Sequence, residues 1–129
     1  MKILTLLFSV ATLASAQFYN ITTIAGNGRL PFGAGGPAIN AKLVVPRYVA
    51  VDAAGNTYIS DTYFNQVFQI SPSGTISAYA GLGTQGFSGD GGTATSAQLF
   101  APQGLAVDAA GNLYIADSGN YRVRKVTPG

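Results

Sequence analysis

At 129 residues and a formal net charge of +2, the chain has the length of one small domain and too little positive charge to hold nucleic acid by electrostatics. It contains no Cys, no His and no Glu, and its acidity comes entirely from Asp52, Asp61, Asp90, Asp108 and Asp117. Disulfide frameworks, thiolate or imidazole metal sites, His-based triads and a Glu general base are thereby excluded. With 17 Gly, seven Tyr, seven Phe and only 9% charged residues, the composition predicts β-structure with many tight turns.

The first element in chain order is an address. Met1-Lys2 is followed by an apolar run from Ile3 to Leu13, and Ala14-Ser15-Ala16 has the small-x-small pattern of a signal peptidase site. Residues 1–16 are expected to be a signal peptide cleaved after Ala16, which makes the mature chain an exported protein, periplasmic or secreted. The run is shorter than the roughly 20 residues of a membrane span, so no span is expected in the mature chain. Loss of Lys2 with the leader lowers the charge to about +1, further from any nucleic-acid partner.

Residues 17–129 are built on a repeat. Val51-Asp52-Ala53-Ala54-Gly55-Asn56 recurs 56 residues later as Val107-Asp108-Ala109-Ala110-Gly111-Asn112. The match extends without gaps from Leu43/Leu99 through Pro46/Pro102, Tyr58-Ile59/Tyr114-Ile115 and Asp61/Asp117 to Pro72/Pro128. Repeat 1 covers about 43–80 and repeat 2 about 99–129. Within repeat 1, strands are predicted at Tyr48–Asp52, Thr57–Ser60, Gln66–Ile70 and Thr75–Ala80. Turn residues separate them, and Gly55 supplies the positive φ of the first hairpin. Four hairpin-linked strands make one propeller blade. A Gly-rich stretch, Gly81 to Gln103, leads to strands at Gly104–Asp108, Leu113–Ala116 and Arg122–Val126. Upstream, Ile21–Ala25 aligns with the end of the fourth strand of repeat 1 and is expected as an orphan outer strand. The fold class is thus all-β, a partial β-propeller of four-stranded antiparallel blades, with one full blade, a second of three strands and the orphan strand.

The pattern Pro-x-x-[Val/Leu]-Ala-Val-Asp-Ala-Ala-Gly-Asn-x-Tyr-Ile-x-Asp, closing on Asp117-Ser118-Gly119-Asn120-Tyr121-Arg122-Val123-Arg124-Lys125-Val126, resembles the NHL repeat. Gly86-Phe87-Ser88-Gly89-Asp90-Gly91-Gly92 is similar to the loop of long, exported bacterial NHL repeats. The first copy departs from it, with Tyr63-Phe64-Asn65-Gln66 where the second has Gly119-Asn120-Tyr121-Arg122. Such propellers usually carry six blades. This implies either a truncated chain or a homotrimer completing a six-bladed ring, each copy lending its N-terminal strand to a neighbour.

Asp52, Asp61, Asp108 and Asp117, with Gly55 and Gly111, are expected as structural turn residues, their carboxylates accepting backbone N–H groups. Gly81-Leu82-Gly83-Thr84-Gln85-Gly86 matches a dinucleotide fingerprint in letters, but no βαβ pattern follows and a blade linker is expected. Asp90 alone falls far short of a calcium site, so no metal or cofactor is predicted. The topology sends the second-to-third-strand turns and the interblade loops to one face, gathering Arg29, Arg47, Tyr63, Phe64, Asn65, Phe87, Asp90, Gln103, Asn120, Tyr121 and Arg122. Aromatics with Arg are the side chains favoured at recognition hot spots. Packing of Phe87 and Tyr121 onto the blades, and pairing of Arg122 with an Asp, is the competing explanation. The expected function is an exported, non-catalytic binding or scaffold module for a protein or carbohydrate partner. The alternative that the resemblance implies is part of a larger lactonase- or lyase-like propeller enzyme, with its catalytic residues in other blades.

Overall fold

The computed structural model describes residues 20–26 and 35–129, so the expected leader and Arg29 lie outside it. Two antiparallel sheets follow one another in the chain. The first has the order β1-β2-β3-β4, with β1 at Pro46–Val51, β2 at Thr57–Asp61, β3 at Gln66–Ile70 and β4 at Ile76–Ala80. The second has the order β5-β6-β7, with β5 at Pro102–Val107, β6 at Leu113–Asp117 and β7 at Arg122–Val126. Each sheet is a meander in which sequential strands pair, so each is a blade.

The first hairpin of each blade closes by the chemistry of its turn. Gly55 at φ +85° donates its N–H to the Asp52 carbonyl at 3.1 Å, and Gly111 repeats this with Asp108 at 3.0 Å. β1 and β5 start at Pro46 and Pro102, earlier than expected, because proline is tolerated as the first residue of a strand.

Alternation along the strands splits the apolar residues between two cores. Ile59, Phe68, Ile70 and Ile76 pack with Ala38 and Ala41 on the face of the first sheet turned away from the second blade. Tyr58, Val67 and Ala80 pack on the opposite face, against Leu99, Leu113 and Ile115. This second core is the seam between the blades. Each Ile or Leu buried in it contributes about 1.5–3 kcal/mol. Polar contacts pin the same seam: Ser60 Oγ donates to the Gln103 carbonyl at 2.7 Å and Thr62 Oγ1 to the Pro102 carbonyl at 2.9 Å.

The stretch carrying the G-x-G-x-x-G letters is a blade linker. Gly81 and Leu82 donate their N–H groups to the Ala94 and Ala97 carbonyls at 3.0 and 2.8 Å, folding the linker back beside a single 3-10 turn, Ala94–Ser96.

The orphan outer strand expected over Ile21–Ala25 is not formed. Residues 20–26 join no ladder, and Ile21 is 99% exposed. The physical reason is that the end of the segment is held elsewhere, with Ala25 packed on the first core and Gly26 N–H donating to the Ala38 carbonyl at 3.0 Å. β3 is already paired with β4, and the start of β4 is bonded on its other side to the linker, where Gly35 N–H meets the Ile76 carbonyl at 2.7 Å and Ile76 N–H the Gly36 carbonyl at 3.0 Å.

Candidate recognition surface

The β2–β3 and β6–β7 turns emerge at one end of the blades, with the starts of β1 and β5 beside them through the Pro46–Asp61 and Pro102–Asp117 pairs. Buried carboxylates hold these turns. Asp61 accepts the N–H groups of Val44 at 2.7 Å, Tyr63 at 3.1 Å and Phe64 at 3.2 Å, so it ties the incoming chain to the outgoing turn. Asp117 accepts the Phe100 N–H at 2.7 Å and the Asn120 side-chain amide at 2.8 Å, and Arg124 lies 3.5 Å away.

At the opposite end, Asp52 accepts from the backbone N–H groups of Ala54 and Asn56, from the Asn56 amide at 2.7 Å and from the Tyr58 hydroxyl at 3.0 Å. Asp108 does the same with Ala110, Asn112 and Tyr114. The Asn56 and Asn112 side-chain bonds, above all, hold these two carboxyls below the usual Asp range. Burial, reinforced by the bond to Asp52, pushes the Tyr58 phenol up to about 12.

Around the β6–β7 turn four of the predicted surface residues come together. The Arg122 guanidinium lies 3.9 Å from the Phe87 ring centroid and donates to the Asn120 carbonyl at 3.1 Å. Asn120 donates to the Gly86 carbonyl at 2.7 Å, which clips the Phe87 loop onto the turn. Tyr121 is 96% exposed and sits at φ +55°. A non-glycine residue costs about 1–3 kcal/mol in such a conformation, and that cost is not recovered by burial of this ring.

The other predicted residues divide. Tyr63 projects from the β2–β3 turn edge-on to Phe64 at 5.4 Å, while Phe64 packs against the first core with Lys42 over its ring. Asn65 accepts the Ala101 N–H through Oδ1 at 2.9 Å and so belongs to the seam. Gln103 gives its carbonyl to the seam and is half-buried, whereas Arg47 is exposed.

The ion pairing considered for Arg122 belongs instead to Arg124, a residue the sequence reading passed over. Its guanidinium contacts Asp90 Oδ1 at 2.6 Å, the Ser88 carbonyl at 3.0 Å and the Gln98 carbonyl at 3.2 Å. One signal could have found it: Arg124 occupies the repeat position of Phe68, a core position where a charge demands a carboxylate partner. Asp90 therefore serves in an ion pair. Among the described residues no cluster of three or more His, Cys, Asp or Glu could hold a metal, and no helix is long and apolar enough to cross a membrane.

Residues 63–127 match the family model of the Teneurin NHL domain. Teneurin-1 of Mus musculus is 37% identical over 103 residues, covering 70% of this chain, and Teneurin-4 of Homo sapiens is 40% identical over 100 residues, covering 67%. The chain spans only 4% of the length of either protein. Among solved structures, a Bacteroides thetaiotaomicron structural genomics protein of unknown function superposes with a TM-score of 0.69 at 24% identity, over 78% of this chain and 26% of its own. An auxiliary nutrient binding protein of the same organism superposes with a TM-score of 0.64 at 22% identity, over 79% of this chain and 27% of its own. These likenesses show the fold. With half of its residues matched by the family model and the two-blade architecture described above, the chain belongs to the Teneurin NHL domain family.

Proposed function

We propose that this chain is a non-catalytic recognition module, exported from the cell, that holds a protein or carbohydrate partner at the end of the blades carrying Tyr121. The observation that carries this reading is Tyr121 itself, an aromatic ring 96% exposed on a strained backbone beside the Arg122–Phe87 stack. Strain kept at an exposed aromatic has no packing benefit, and a Tyr with an adjacent stacked Arg is the side-chain set of a contact hot spot. Tyr63 and Arg47 extend the patch from the first blade.

Export is supported by the pattern of residues 1–16, and it would place the patch where extracellular glycans and proteins are met. Sequencing the mature N-terminus checks this part, with Gln17 expected first. For recognition, the labelled chain and its Tyr121→Ala/Arg122→Ala variant are to be applied to a printed array of glycans and extracellular proteins. Retention of the parent chain on particular spots, lost in the variant while its circular dichroism is unchanged, supports the reading. Equal retention of both sinks it.

A further inference from the structure

We propose that this end of the blades selects an acidic glycan, a chain of uronic acids, with aromatic rings stacking on the sugar faces and Arg122 and Arg47 taking the carboxylates. The inference rests on the recognition reading above and narrows it to one class of partner.

The two repeats place an aromatic ring beside the same carboxylate-held turn by different routes. In the first blade Asp61 accepts the Val44 N–H at 2.7 Å, and the ring comes from the turn itself, as Tyr63. In the second blade Asp117 accepts the Phe100 N–H at 2.7 Å. Phe100 stands 56 residues after Val44, and Gly119 stands 56 after Tyr63. The bulk has moved from the turn to the incoming chain, and Gly119 leaves room for it, since a Cβ there would stand 2.5 Å from the Phe100 ring. Tyr63 remains 64% exposed and Phe100 39%, so neither ring is used up as core. Phe87, held to the β6–β7 turn through Gly86 and Asn120, is a third, 43% exposed. Among the described residues no ring contact joins these three to one another, and the Thr62–Pro102 and Asn65–Ala101 bonds run between the blades that carry them. Ring faces offered singly suit pyranose rings, whose C–H faces pack on aromatic planes one sugar at a time. A protein hot spot is instead a clustered, desolvated pocket.

The charge around the rings is one-sided. Lys42 lies over Phe64, Arg122 lies over Phe87, and Arg47 is exposed at the start of β1. The carboxylates of this end are all engaged. Asp61 and Asp117 are fully buried under N–H donors, and Asp90 holds Arg124 at 2.6 Å. Asp52 and Asp108 lie at the opposite end, bonded to Asn56 and Asn112. A carboxylate approaching the rings therefore meets cations and no unengaged carboxylate among the described residues. Contact with Phe87 holds the Arg122 guanidinium in place, and the Asn120 carbonyl engages Nη1. Nη2 and Nε carry further N–H groups for the two-pronged bond that a planar guanidinium makes to a carboxylate.

Polygalacturonate, the same polymer with its carboxyls reduced to alcohols, and poly-L-glutamate are to be passed over the immobilised whole chain. Polygalacturonate should be retained, and the reduced polymer and the acidic peptide each held about tenfold more weakly or less. Arg122→Gln, which removes the guanidinium, and Tyr63→Ala, which removes an exposed ring, should each weaken retention of polygalacturonate about fivefold or more with unchanged circular dichroism. Lys125→Gln removes the same charge beside Tyr114, whose hydroxyl bonds Asp108 at the opposite end, and should leave retention as it was. Equal retention of the reduced polymer or of poly-L-glutamate, or an equal loss in Lys125→Gln, overturns the acidic-glycan assignment. Binding to neutral glycans or to proteins on the array without binding to polygalacturonate overturns it too, and leaves the recognition reading standing. Retention on none of these removes both.

Discussion

Val67 and Val123 occupy equivalent positions 56 residues apart on the third strands of the two blades, yet Val67 is fully buried and Val123 is 71% exposed. The difference is the seam: Val67 faces the second blade, and Val123 faces outward from it. Truncation to alanine should separate the two. Val67→Ala is expected to cost about 2 kcal/mol from lost burial and the cavity left behind. Val123→Ala should cost under about 0.5 kcal/mol. Urea denaturation followed by tyrosine fluorescence measures both, and equal costs would contradict the seam.

The buried carboxylates give a second test. Asp61 is surrounded by N–H donors, so Asp61→Asn turns one acceptor into a donor facing Val44, Val45, Tyr63 or Phe64. A buried donor left against donors costs about 1–3 kcal/mol, more where a charge is removed. Asp117→Asn should be at least as damaging, because Arg124 loses a fully buried partner. Thermal melts should rank both variants well below Asp90→Asn, whose carboxylate is exposed.

Much of this architecture is written in local chemistry. The bounds of β3 and β7 follow from Gln66–Ile70 and Arg122–Val126 as short runs carrying β-branched or aromatic residues between turn residues, and the repeat makes each assignment twice. What local pattern does not carry is partnership across distance. Ile21–Ala25 has the composition of a strand, but a strand exists only where the chain comes to lie along another edge, and the docking of Ala25 and Gly26 on the first core takes it elsewhere. The topology groups Phe87 and Arg122 at one end of the blades. That the ring becomes a platform for the guanidinium depends on Asn120 bonding Gly86, 34 residues away. Arg124 was hidden for the same reason, although its substitution for Phe68 in the repeat marked the position.

Acid should act through the two exposed hairpins. In the folded chain the Asp52 and Asp108 carboxyls are held below their ordinary value, chiefly by the Asn56 and Asn112 amides. A depressed folded pKa stabilises the fold above the unfolded value of about 3.9, and that stabilisation is lost as pH falls through the lowered folded values. Asn56→Ala should move the Asp52 titration back towards the ordinary value, seen in its carboxyl carbon shift, and flatten that part of the acid limb. At the alkaline end the sign reverses. Tyr58 at about 12 favours the fold below the unfolded phenol value of about 10 and ceases to do so as pH rises from there to 12. An ultraviolet titration in which every tyrosine ionises by about pH 10 would refute this.

Gly81 is where a single methyl group should do most harm. The residue sits at φ +93° as β4 passes into the linker, and a Cβ there would run into the Asn65 carbonyl oxygen, with Gln66 Cα at 3.0 Å and the Leu99 side chain at 3.2 Å. Two of these neighbours are backbone of the β2–β3 turn and cannot move aside without disturbing the Asn65–Ala101 bond across the seam. Gly81→Ala should therefore combine the cost of a left-handed alanine with overpacking, about 3 kcal/mol or more together. Gly83 offers a matched comparison. It has a similar φ of +97°, but its added Cβ would meet only the Gln66 side-chain amide at 3.6 Å. Gly83→Ala should cost about 1 kcal/mol, the backbone part alone. Hydrogen exchange would locate the damage as well as size it: in Gly81→Ala the amides of Leu82, Leu99 and Ala101 should exchange faster, while those of β2 and β3 away from the turn keep their protection. Equal melting temperatures for the two variants would mean that the linker, and with it the second blade, is not held by this close approach.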